Sequence, residues 1–130
     1  MYRAVTNQIQ VTVTPAFMED QSSPDEGRYF WSYTVEIVNL GKDTVQLRSR
    51  YWHIRDEQGR VQEVRGEGVV GKQPKLPPGE SFNYTSGCPL PTPQGIMSGH
   101  YVMQSSSGES FTVVIPAFSL DSPHAARVVH

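Results

Sequence analysis

Apolar side chains at every second position, interrupted by proline and glycine, constrain this chain more than any other feature. Ile9, Val11 and Val13 alternate with Gln10, Thr12 and Thr14, and a period of two puts each set on its own face of a strand. Tyr29, Trp31, Tyr33, Val35 and Ile37 repeat the pattern over a longer run rich in aromatic and β-branched residues, which suit a pleated surface. Their odd-numbered face is predicted to point inward. Val45 and Leu47 are then apolar at odd positions but Trp52 and Ile54 at even ones. Such a slip predicts a β-bulge between Arg48 and Tyr51.

Asn39–Asp43 and Asp56–Gly59 carry turn residues, and further strands follow at Val61–Val64, Phe82–Tyr84, Tyr101–Met103 and Phe111–Ile115. The pattern predicts an all-β fold, an immunoglobulin-like or fibronectin-type-III-like β-sandwich of about seven mostly antiparallel strands. No stretch shows a capped 3.6-residue stripe, so little or no helix is expected. The polar segment 19–27 has no apolar side chain to bury and is expected to be an exposed, mobile loop. A chain of 130 residues suits a single domain able to bury a core without disulfides or a metal. Its ordered part is expected over 3–120, with a surface tail over 121–130.

Eleven basic against thirteen acidic residues leave a formal charge of only -2, so no global field draws the protein to nucleic acid. Arg48 to Arg65 form a cluster of arginines beside Tyr51, Trp52 and His53, a mixture that can bind single strands. The interspersed Asp56, Glu57, Glu63 and Glu67 nearly cancel it, which weighs against nucleic acid as a partner. The lone cysteine, Cys88, rules out an intrachain disulfide and fits a reducing compartment. No apolar run has the length of a signal peptide or a membrane span, so cytoplasmic residence is expected.

Gly66-Glu67-Gly68-Val69-Val70-Gly71 satisfies G-x-G-x-x-G, the spacing that brings backbone amides against a pyrophosphate at a helix N-terminus. The mechanism requires a helix after the glycines, and Pro74, Pro77 and Pro78 forbid one. One reading makes these glycines structural, in a loop packed close to the sandwich. The other keeps an anion-binding nest of loop amides, with Arg65, Gly66, Gly68, Gly71, Lys72 and Lys75 as the candidate site. No catalytic residue set, cofactor site or built-in metal site is read from the chain. His53, His100, His124 and His130 lack the close pairing of zinc ligands, although His53 with Asp56 and Glu57, or the acids of segment 19–27, offer oxygen ligands to a hard cation. A Cys88 nucleophile would need His53 or His100 as its base.

Arg50-Tyr51-Trp52-His53-Ile54-Arg55-Asp56, the run from Glu63 to Pro74, the run from Leu76 to Leu90 and Thr92-Pro93-Gln94-Gly95-Ile96-Met97-Ser98-Gly99-His100-Tyr101 together resemble the ApaG family over nearly the whole chain. The resemblance implies a fibronectin-type-III-like sandwich and no established reaction. It also implies a link to cobalt resistance and magnesium efflux, and a role in protein or ligand recognition.

Taken together, the expected function is that of a non-enzymatic binding module for a protein partner or a small anionic ligand, with a homodimer through sheet edges also open. The alternatives are a nucleotide- or phosphate-responsive factor in divalent-cation homeostasis and, third, a nucleotide hydrolase.

Overall fold

The computed structural model describes residues 1–124. Among the described residues nine strands form: β1 (Tyr2–Thr6), β2 (Ile9–Phe17), β3 (Tyr29–Asn39), β4 (Val45–Asp56), β5 (Val61–Glu67), β6 (Lys75–Leu76), β7 (Ser81–Leu90), β8 (Gly95–Ser105) and β9 (Ser110–Leu120). They build two sheets, β1-β2-β3-β7 and β5-β4-β8-β9, with β6 paired to the start of β4. Every pairing is antiparallel. The protein is therefore the expected all-β sandwich, with two strands more than the alternation marked. β1 closes a hairpin on β2 through Asn7 and Gln8, both at positive φ. β6 is only two residues long.

The inward faces supply the core. Val11, Val13, Val35, Ile37, Leu47, Tyr101, Met103 and Val113 are fully or almost fully buried, and the odd-numbered face of β3 points inward as expected. Register between β4 and β8 shifts between Leu47 and Ser49, which sets the bulge at Arg48, at the near end of the predicted interval. Past it the buried set moves to Trp52 and Ile54. A second slip, unmarked by the alternation, lies opposite Met97 and Gly99, where β9 pairs Phe118 and then Ile115. It switches the buried set of β9 from Val113 and Ile115 to Phe118 and Leu120.

Segment 19–27 holds two 3-10 turns, Glu19–Gln21 and Pro24–Glu26, and the Ser22 hydroxyl ties it to the sandwich by donating to the Met18 carbonyl at 2.8 Å and accepting from the Phe30 amide at 3.0 Å. The chain end is anchored as far as it is described. The Trp31 indole donates to the Asp121 carbonyl at 2.7 Å, and His124 Nε2 lies 2.9 Å from the Glu19 carboxylate. The rest of the expected tail, 125–130, lies outside the described residues. Among the described residues no helix is long and apolar enough to cross a membrane.

Candidate functional site

The sandwich is open along one side, because β7 ends one sheet and β5 ends the other. Between these edges lies a cleft of about 250 Å³. Its floor is Tyr33, Trp52, Met97 and Cys88, all buried, and its lips are Gln62 and Val64 on β5 and Ser86, Gly87 and Pro89 on β7. Tyr33 meets Trp52 edge-on at 5.2 Å between ring centroids, a preferred arrangement of two ring quadrupoles. Farther inside, the Tyr84 and Tyr101 hydroxyls hydrogen-bond across the two sheets.

Arg50 is the charged residue of this lining. The bulge at Arg48 puts it in phase with Trp52 and Ile54, so a residue that a regular strand would send to the outer face turns between the sheets. It pairs with Gly66 of β5, and a Cβ at Gly66 would stand 2.8 Å from Nη1 and 3.0 Å from Cζ. With no side chain at Gly66, the guanidinium lies flat against the neighbouring strand. Nη1 donates to the carbonyls of Glu67 at 3.1 Å and Gly68 at 2.9 Å. Among the described residues no carboxylate forms an ion pair with Arg50.

The glycine motif is thus the frame that holds Arg50. Val69 and Lys72 exchange backbone hydrogen bonds at 2.8 and 2.9 Å, closing a tight turn whose central residues, Val70 and Gly71, both have positive φ. The Gly68 amide donates to the Arg48 carbonyl at 2.9 Å. The amides of Gly68, Val69 and Lys72 are therefore spent within the protein. The candidate cations of this motif do not share one face with Arg50. Arg65 lies on the outer side of β5, over the Tyr51 ring at 4.6 Å and paired with Glu63 at 3.2 Å. Lys72 is exposed at the turn, and Lys75 is exposed in β6 opposite Gln46.

Burial sets the protonation of the cleft. It pushes the Cys88 thiol from 9.0 up to about 11 and raises the Tyr33, Tyr84 and Tyr101 phenols, with Arg50 opposing the rise in all three. An acid whose folded pKa is raised contributes stability that is complete below its unfolded pKa and is lost as pH climbs towards the folded value. For Cys88 that window runs from about pH 9 to 11, and at about 1.4 kcal/mol per unit the loss is about 3 kcal/mol. Urea midpoints should fall across this window and fall less steeply in Cys88→Ala. Parallel slopes for the two proteins would refute the assignment to the thiol.

A family model described as the ApaG domain matches residues 19–105. The chain belongs to the ApaG family. It is 67% identical over all 130 residues, with full coverage of both chains, to "Protein ApaG" of Methylobacterium sp. (strain 4-46). A crystal structure of a Bordetella pertussis protein described as ApaA has a TM-score of 0.87 at 50% identity, covering 90% of this chain and 95% of that one. A second X-ray structure, at 42% identity, has a TM-score of 0.86 over 98% of this chain and 96% of that one. Every residue lining the cleft falls inside the ApaG-domain match.

Elsewhere in this ApaG domain the polar candidates serve turns and the outer surface. Asp56 Oδ1 accepts from the Gln58 and Arg60 amides at 2.9 and 3.0 Å, and Oδ2 from Arg60 Nε at 2.8 Å. Burial alone would raise its pKa, but these donors lower it on balance, and the carboxylate is committed to the β4–β5 turn. Glu19 meets His124 and Glu26 meets Arg28. Among the described residues no three His, Cys, Asp or Glu side chains gather around one point. His100 stacks on Tyr51 at 4.9 Å on the outer face, and His53 shares that face of β4, whereas Cys88 is buried between the sheets.

Two residues whose structural placing matters escape a reading of the chain alone. Arg50 could have been found from the phase slip, since it shares the parity of Trp52 and Ile54. The other is Asn39, 1% exposed, whose Nδ2 donates to the carbonyls of Asp43 and Leu76 at 2.7 and 2.9 Å and so fixes β6 against the β3–β4 turn. The turn pattern places it at the start of the 39–43 turn but gives no sign of its reach to β6.

Proposed function

We propose that this ApaG-family protein is a non-catalytic binding module that recognises a small anionic ligand in the cleft between β5 and β7. The observation that carries this reading is Arg50: an inward-facing guanidinium at a preformed cleft of mixed polar and apolar lining, held by backbone carbonyls and, among the described residues, without an ionic partner. Ligand sites combine an apolar lining with a few fixed polar groups in this way. The non-catalytic part is supported by the placing of Cys88. Its thiol is protonated at neutral pH and lies between the sheets, on the opposite side of β4 and β8 from His53 and His100. A nucleophile requires its base within hydrogen-bond reach.

A thermal-shift screen against pyrophosphate, nucleotides, organic carboxylates, magnesium and cobalt tests the reading, because a ligand that prefers the native state raises the melting temperature. At least one anion is expected to raise it dose-dependently, with no turnover of that anion. Flat curves for every anion would overturn the proposal. Hydrolysis of a dinucleoside polyphosphate by the pure protein would overturn its non-catalytic part.

A further inference from the structure

The charge and size of the cleft narrow the ligand class, an inference that rests on the binding role proposed above. A guanidinium has five N–H donors. Nη1 spends both of its own on the Glu67 and Gly68 carbonyls, which leaves one on Nε and two on Nη2. Nε and Nη2 form the planar fork that matches a carboxylate bidentately. Beside this cation the lining is neutral: the Trp52 and Tyr33 rings, Ile54, Val64 and Met97 supply apolar surface, while Ser86 adds a hydroxyl and Gln62 a side-chain amide. At about 250 Å³ the cleft lies just below the roughly 300 Å³ at which drug-sized ligand sites begin.

We propose that the cleft binds a small monocarboxylate with a short aliphatic or aryl body, its carboxylate on the Nε/Nη2 edge of Arg50 and its body over Trp52, Ile54 and Met97. One cation can balance one negative charge. A pyrophosphate or nucleotide would carry further charges into a lining that holds no second cation, and desolvating unpaired charge is costly. A neutral analogue of the same body would forfeit the charge-assisted pair and leave only the apolar contact.

The test is titration of the full chain with hexanoate and phenylacetate, with hexanol, phosphate and pyrophosphate as comparators, read by calorimetry and by NMR of the Trp52 indole and Met97 methyl signals. The carboxylates are expected to bind saturably and shift both signals, with hexanol weaker by about tenfold or more. Arg50→Gln should abolish the preference for carboxylate over alcohol, and Arg50→Lys, which keeps the charge and loses the fork, should restore only part of it. The wild-type NMR map carries the test even if a variant folds poorly. Equal binding of hexanol and hexanoate overturns the assignment. So do carboxylate-induced shifts confined to the surroundings of Lys72 and Lys75, or the absence of carboxylate binding at millimolar concentration. If pyrophosphate alone stabilises the protein, the binding role stands and this ligand class falls.

Discussion

Gly68→Ala is expected to destabilise the protein by about 2–4 kcal/mol, and Gly71→Ala, three residues on in the same motif, by only about 1 kcal/mol. Both glycines have positive φ, +63° and +79°, so both substitutions carry the strain of an L side chain in left-handed backbone. They differ in what the new Cβ meets. At Gly71 nothing lies within 4 Å, whereas at Gly68 the Lys72 carbonyl oxygen would be 2.3 Å away. That oxygen is backbone, already bound to the Val69 amide, and cannot swing aside as a side-chain tip can. The turn would have to open, and with it the Gly68–Arg48 hydrogen bond and the carbonyl that holds Arg50. A larger residue such as tryptophan at 68 would only aggravate this, so a loss of binding there would report on the frame and not on a contact with ligand. Urea titration of the two variants checks the contrast, and equal losses would show that conformational strain alone governs the motif.

The same geometry shows what was legible beforehand. Alternation exposed β2 and β3 with their inward faces, because those strands pair on both sides and bury the inward side at Ile9, Val11 and Val13 and at Trp31, Tyr33, Val35 and Ile37. The parity change between Leu47 and Trp52 announced a bulge, and the prolines after Gly71 excluded a phosphate-binding helix. β1 was hidden because Tyr2–Thr6 buries no residue fully and its turn uses Asn7 and Gln8 in place of glycine. The slip in β9 was hidden because it depends on register against β8 at Gly99, where a Cβ would sit 2.0 Å from the Tyr51 carbonyl oxygen. The candidate site was harder still. G-x-G-x-x-G drew attention to loop amides and flanking lysines, yet Arg50 reaches the cleft by the sum of a bulge on one strand and a missing side chain on the next. Each is visible singly, but their meeting requires the β4–β5 register.

Trp31→Ala is expected to cost about 3–5 kcal/mol, the range for removing a large buried aromatic, and to be the most damaging single truncation on β3. Trp31 is 1% exposed and is among the largest side chains of the core. It packs edge-on against Phe17 at 5.4 Å and pairs with Cys88 across the β3–β7 ladder, next to the floor of the cleft. Its indole also holds the Asp121 carbonyl at 2.7 Å, a contact spanning 90 residues of sequence, so alanine removes core volume and unties the end of β9 together. Trp31→Phe separates the two effects: it keeps an aromatic ring and loses the N–H donor, for which about 1–2 kcal/mol is expected. Since domain stabilities lie near 5–15 kcal/mol, the alanine variant should melt far below the parent and lose carboxylate binding as the β3–β7 floor loosens, while the phenylalanine variant should retain both fold and ligand. Urea denaturation with unchanged slope provides the measurement. A loss below about 1 kcal/mol for alanine would mean that the two sheets close over the gap, and that the cleft beside it is not held by this packing.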